Sequence, residues 1–197
     1  MIIRAPELGD LEAEKRMQAR SWVHAYQNAE LGITPQWLTE ITSEWFTPAG
    51  LAQAKQYFLQ CKGNPRIVWL VAEHDNAIIG KFFGYRYKNR PDKAHLSSLY
   101  VEPEWTGKGV GQELLHAGLA KLGNLETYLD VADYNDIAIR FYQRNGFEIV
   151  PDSQRLYPVG DAAQTDQPLI VGVNAIPVIS MMRPWAGFRR AQQPQVG

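Results

Sequence analysis

Cysteine is almost missing from this chain: Cys61 stands alone among 197 residues, so no internal disulfide can form and no thiolate pair can hold a metal. The four histidines are scattered without metal-ligand spacing, and no metal is expected. Long hydrophobic runs are missing too. No stretch of 18 apolar residues occurs, which excludes a membrane-spanning helix. The opening residues, Met1 to Glu7, turn charged before a secretory apolar stretch can form. A soluble, unprocessed protein of the reducing cytoplasm is the expectation, with no membrane partner. Nor does one sign of charge dominate. Twenty Lys plus Arg against 21 Asp plus Glu leave a net charge of −1, so bulk electrostatics gives no case for a nucleic-acid partner. Whatever the protein binds is selected locally.

What remains is ordinary globular material, with 45% hydrophobic and 21% charged residues. The length suits one domain that buries roughly 70% of its unfolded surface. Ile2 to Arg4 reads as a strand. Leu11, Ala19, Trp22, Val23 and Tyr26 recur at helical spacing. Thr34-Pro35 caps and starts a second helix carrying Leu38, Ile41 and Trp45, interrupted by Pro48 and Gly50. Leu51, Ala54 and Phe58 resume helical spacing. Ile67 to Glu73 and Ala77 to Tyr87 form a hairpin across His74-Asp75-Asn76, and Ala94 to Val101 is a further strand. A glycine loop then leads into a helix with Val110, Leu114, Leu115, Leu119 and Leu122. Thr127 to Ala132 is a strand, Asn135 caps a helix closed by Asn145-Gly146, and Phe147 to Val150 and Ile176 to Arg183 complete the strands. This order makes one mixed α/β domain. Pro151 to Ala175 is long for a connection and reads as cover or a flap. Residues 185–197 have no period and read as a tail.

The loop from Trp105 to Gln112, Trp-Thr-Gly-Lys-Gly-Val-Gly-Gln, joins a strand end to a helix start. Unpaired N–H groups and the helix dipole favour an anion there. A nucleotide P-loop would need Ser or Thr after Lys108, and a dinucleotide fingerprint would need glycine in place of Gln112. A plain tight turn is the remaining alternative. Leu99 to Gly111, with Gly109 and Gly111 at two small positions and Thr106 where Gln or Arg is usual, resembles the cofactor motif of the GCN5-related N-acetyltransferases. Asn135 to Phe147 is similar to the same family's N-x-x-A-x-x-x-Y-x-x-x-G-F helix. The two motifs stand in family order over Ala94 to Val150.

The resemblance implies a central mixed, mostly antiparallel sheet flanked by helices, with residues 1–184 as the acetyltransferase domain. It implies acetyl-CoA as co-substrate. Leu99, Tyr100 and Val101 would meet the thioester and pantetheine arm beside a bulge that splays the strand from its neighbour. Gly107, Lys108, Gly109, Val110, Gly111 and Gln112 would hold the pyrophosphate. Asn135 would bond the cofactor arm while capping its helix, its amide hydrogens being free for that purpose. Tyr142 would protonate the departing thiolate, since a phenol with a pKa of about 10 is protonated at neutrality. Asp130 is the leading general base, with Glu102 and Glu73 behind it. Strand alternation also allows Asp130 simply to be solvated. Trp22 and Tyr26, one helical turn apart, would line the acceptor pocket. His24 and His95 read as structural or solvated. The acceptor would be a small-molecule or peptide amine, and the sequence leaves a homodimer open. A longer acyl chain, or a catalytically silent acyl-CoA sensor, keeps the same fold; Tyr142 argues against silence.

Overall fold

A computed structural model describes residues 1–160 and 168–185. Eight strands form one sheet: β1 (Ile2–Arg4), β2 (Ile67–His74), β3 (Ala77–Arg86), β4 (Lys93–Val101), β5 (Glu126–Ala132), β6 (Glu148–Ile149), β7 (Arg155–Pro158) and β8 (Ala175–Arg183). They lie in the order β1-β2-β3-β4-β5-β8-β6, with β7 also pairing β8. Every pairing is antiparallel except β4 with β5. The α-helices are α1 (Leu11–Tyr26), α2 (Pro35–Ser43), α3 (Pro48–Cys61), α4 (Val110–Leu122) and α5 (Asp136–Arg144). None in the described residues is long and apolar enough to cross a membrane.

The helix boundaries follow local chemistry. Thr34 accepts a hydrogen bond from the Trp37 amide, and Thr47 accepts one from Gly50, so each threonine caps a helix that starts at the following proline. Pro48 thus begins α3, where the sequence pattern reads as an interruption. Asn135 accepts from the Ala138 amide, and Gly146 at φ +85° closes α5 in the left-handed conformation.

Leu114, Leu115, Leu119 and Leu122 of α4 are buried against one face of the sheet. Their approach depends on Gly118, where an added Cβ would sit 2.4 Å from the buried Phe82 ring. On the opposite face, α1 buries polar residues because the sheet presents one there. Lys81, 6% exposed, pairs with Glu14 at 2.5 Å and donates to Gln18 at 3.0 Å, while Trp69 Nε1 donates to Glu14 at 2.8 Å. Strand register carries these faces across. Leu96, Leu99 and Val101 pair with Gly84, Phe82 and Gly80 and face α4; His95, Ser98 and Tyr100 pair with Tyr85, Phe83 and Lys81 and face α1.

One difference from the sequence pattern bears on the site. The expected flap at 151–175 contains β7, which extends the sheet along β8 through Arg155↔Val178 to Pro158↔Ala175. Part of that segment, 161–167, lies outside the described residues, as do 186–197 of the expected tail. The single parallel pair is also short, as a strand splayed from its neighbour requires: β4 and β5 are bonded only from Lys93–His95 to Glu126–Tyr128. The register of β4 against β3 slips at Ser97, between Ser98↔Phe83 and Leu96↔Gly84. This is the bulge expected on β4, one residue before Ser98 and two before Leu99.

Candidate active site

Where β4 and β5 cease pairing, the sheet opens into a cleft of about 330 Å³. Its strand walls are 95–100 and 129–132, with Ala138 and Tyr142 from α5 and Trp22 and Tyr26 from α1. Leu99, Tyr100, Asp130, Asn135, Tyr142, Trp22 and Tyr26 are therefore brought together, although they come from separate elements spread along the chain. Val101 is not on the cleft wall; its carbonyl accepts from Ser21 Oγ at 2.8 Å.

Tyr142 is 9% exposed, its ring packed edge-on against Phe141 at 5.2 Å and Phe147 at 5.5 Å. Burial, with a smaller contribution from Tyr26, pushes its phenol well above the usual range, so it stays protonated at neutrality. Tyr26 and Tyr100 share a hydrogen bond between hydroxyls at 3.2 Å. Burial also raises both of their pKa values. Trp22 meets Tyr26 edge-on at 5.2 Å. Asn135 is less free than expected: besides capping α5, its Nδ2 donates to the Ala25 carbonyl at 3.2 Å. One of its two amide hydrogens is thus committed to α1.

Asp130 is not simply solvated. Its carboxylate pairs with Arg155 at 2.5 Å and accepts from Ser180 Oγ at 2.8 Å. The other acidic candidates are further from the chemistry. Glu102 is gripped by Arg20 through two bonds of 2.7 Å, Glu73 by Arg4 at 2.6 Å, and neither lines the cleft. His95 does line it, with Nε2 3.9 Å from Asp130 Oδ2. Nδ1 is buried with no hydrogen-bond partner, and the ring stacks on Tyr85 at 5.4 Å. Burial lowers its pKa, opposed by Asp130 and assisted by Arg155. Sequence reasoning set His95 aside because a lone histidine carries no spacing signal. Its only sequence mark is membership of the α1-facing set of β4, invisible until the bulge is located.

The glycine loop lies outside the cleft, at the start of α4. Gly107 and Gly109 have φ of +78° and +88°, with nothing within 4 Å of a Cβ at either position. Gly109 is the N-cap, and the amides of Gly109, Val110, Gly111 and Gln112 find no backbone acceptor among the described residues. This is an open cradle of N–H groups at the positive end of a 13-residue helix. Lys108 is exposed, its ammonium 5.0 Å from the Trp105 ring. An anionic diphosphate fits such a cradle, and the open β4 edge leads from it to the cleft. No group of three His, Cys, Asp or Glu suited to a metal occurs among the described residues.

A bulged β4 beside a splayed parallel β5, with a glycine cradle at the helix following β4, is the arrangement that the sequence resemblance to the acetyltransferases implies. The acetyltransferase (GNAT) family model matches residues 35–147. An uncharacterized N-acetyltransferase of Mycobacterium tuberculosis is 32% identical over 128 residues, covering 64% of this chain and 78% of that protein. The spermidine N(1)-acetyltransferase of Thermoplasma acidophilum is 28% identical over 150 residues, covering 75% and 88%. Among solved structures, the PaiA N-acetyltransferase of Thermoplasma acidophilum in complex with coenzyme A superimposes with a TM-score of 0.66 at 22% identity, covering 93% and 98% of the two chains. The chain belongs to the GNAT acetyltransferase family and is an acyltransferase.

Proposed function

We propose that this protein transfers an acetyl group from acetyl-CoA to the primary amine of a small molecule or peptide, by direct attack in a ternary complex, with residues 1–184 acting as one catalytic domain. The observation that carries the reading is the cleft itself. It sets a buried, protonated Tyr142 on one wall and the α1-facing His95 on another, while the N–H cradle stands outside it at the start of α4. Coenzyme A bound as a neighbour's structure describes it, in its acetylated form, would supply an activated thioester.

Gly107 to Gln112 hold the pyrophosphate through main-chain N–H groups, and Asn135 uses its remaining amide hydrogen on the pantetheine arm. The β4 backbone at Leu99 and Tyr100, released from β5, faces the arm. A free backbone donor there would stabilise oxyanion charge on the thioester oxygen. The incoming ammonium must lose a proton before its nitrogen attacks. His95 is neutral at pH 7, stands on the acceptor face, and takes that proton, with Asp130 Oδ2 at 3.9 Å stabilising the resulting imidazolium. Asp130 itself, tied to Arg155 and Ser180, is read as a positioning group. Tyr142 donates its phenolic proton to the departing sulfur. One proton leaves the amine, one arrives on the thiol, and the carbon–sulfur bond is exchanged for carbon–nitrogen.

The test is acetyl-CoA-dependent thiol release across a panel of amines, with Tyr142→Phe as the paired variant. Amine-dependent release that collapses in the variant supports the reading. Cofactor binding with no release for any amine would replace it with an acyl-CoA sensor.

A further inference from the structure

The cleft continues past the β4/β5 opening. Trp22, Tyr157 and Val159 form a wall shared with a second hollow of about 690 Å³, bounded by α1, α3 and the 3₁₀ turn Glu44–Phe46. Lys15, Trp22 and Tyr26 lie seven and four residues apart on one stripe of α1. At 1.5 Å per residue, Lys15 stands about 10 Å along the axis from Trp22 and about 16 Å from Tyr26. The stripe therefore runs from the proposed reacting end of the cleft to a cation at its far end.

The Lys15 ammonium sits 4.9 Å from the Trp45 ring, which in turn meets Trp22 edge-on at 5.2 Å, and it makes no ion pair among the described residues. The carboxylates near it are otherwise engaged or peripheral. Glu14 is taken by Lys81, Asp130 by Arg155, and Glu44 is exposed at the rim. Burial, with repulsion from Lys81 and partly opposed by Glu14, holds the Lys15 pKa down to about 8, so the attraction of Glu14 does not offset the lost hydration. Trp22, Trp45, Tyr57, Tyr157 and Val159 give much of this hollow an aromatic or apolar lining, with Thr47, Gln53 and Glu44 as its polar members besides Lys15. A polyamine would bring two or more ammonium groups into this surface, each needing a carboxylate to offset its lost water, and the described lining of the hollow offers Glu44 alone.

Resting on the acetyl-transfer reading, we infer that the acceptor is an elongated primary amine on an aromatic or apolar body that bears an anionic group, a carboxylate or its equivalent, bound by Lys15 at the far end of the cleft. The anion supplies a direct ion-pair partner, which Lys15 lacks among the described residues, and the aromatic side chains cover the body between.

The probes are 4-(4-aminobutyl)benzoate, its uncharged methyl counterpart 4-(4-aminobutyl)toluene, and spermidine. Each is assayed for acetylation and, without turnover, for binding by calorimetry. Lys15→Met keeps the aliphatic stem and removes the charge; because no ion pair is broken, folding is retained, and circular dichroism checks this. Without its charge-assisted hydrogen bond to the carboxylate, Lys15→Met should show benzoate affinity and kcat/KM weakened about tenfold or more, with the toluene analogue within about twofold of wild type and the benzoate rescued by Lys15→Arg. Spermidine should be the poorest acceptor. Spermidine outranking the benzoate, benzoate parameters unmoved in folded Lys15→Met, or no benzoate binding at all would each overturn the inference. Lys15-dependent binding of the benzoate with no amine acetylated would uphold the anion site and reject the acetyl-transfer reading instead.

Discussion

Removing only the hydroxyl of Tyr142 separates packing from chemistry. The ring in Tyr142→Phe keeps its edge contacts with Phe141 and Phe147, so melting temperature and acetyl-CoA affinity should barely move. General acid catalysis is worth about 10²–10⁴-fold, and kcat should fall into that range where thiolate departure limits turnover. The loss should shrink with a donor whose thiol leaves more easily, and wild-type turnover would return Tyr142 to a packing role. His95 is tested by pH. Burial lowers its pKa from 6.5, and a base acts when unprotonated, so kcat/KM should rise with pH through an inflection below 6.5 attributable to His95. His95→Gln should remove that inflection along with most of the rate. Asp130→Asn should move the inflection lower still, because the charge that favours the imidazolium is gone. A profile unchanged in His95→Gln would transfer the proton to another group.

At the scale of elements, the α4 N-terminus is the sharpest target. A Cβ at Gly109 meets nothing within 4 Å, but φ of +88° disfavours any L side chain. Gly109→Val should therefore cost about 1–2 kcal/mol of local strain and, beyond that, block the close approach of a phosphate. Its signature is a large rise in KM for acetyl-CoA in a folded protein. Gly111→Ala is the control: its Cβ would rest 3.5 Å from Val101 Cγ2, an ordinary contact, and should leave both stability and KM near normal. Unaltered cofactor affinity in folded Gly109→Val would remove the cradle from the site. Gly118 acts on the other side of the same helix. With Phe82 2.4 Å from an added Cβ, Gly118→Ala should overpack the α4/sheet interface and cost about 1–3 kcal/mol, seen as a lowered melting temperature with cofactor KM preserved.

The whole molecule should lose stability on acidification in two stages. His95 is held neutral by burial. Below the unfolded histidine pKa of 6.5 the unfolded chain binds a proton that the folded protein resists, so stability falls until the pH reaches the lowered folded value. Asp10, held down first by the Arg4 hydrogen bond, and Glu126, held down first by Lys93, act in the carboxylate range. Their contributions are present above the unfolded values of 3.8 and 4.5 and disappear as pH falls through the lower folded ones. Melting temperature followed from about pH 7.5 downward should thus drop in a first, shallow step that His95→Gln removes, then in a second that it leaves. A single acid transition, identical in the variant, would show that His95 is not buried in solution.

The Thr34 and Asn135 caps, the hairpin turn, the glycine loop and the Asn135 to Phe147 helix were legible in sequence because each is governed by chemistry within a few residues: a side-chain oxygen reaching an amide three positions on, or a glycine that readily adopts positive φ. The set of cleft residues from Leu99 to Tyr142 was legible only through resemblance to a family. Four decisions needed the folded sheet. β7 is too short and exposed to show a period, and becomes a strand only because β8 offers it an edge. Arg155 and Ser180, distant in sequence, close on the Asp130 carboxylate, and this is the ground for proposing it as a positioning group. His95 enters the proposed mechanism because the bulge at Ser97 determines which β4 residues face α1. Lys15, one of three lysines on the α-helices, became a charge of the second hollow without an ion pair among the described residues only when α3 and the Glu44–Phe46 turn enclosed it against Trp45. Local order is written in neighbouring residues, whereas the charge state and company of a side chain depend on which distant groups share its low-dielectric surroundings.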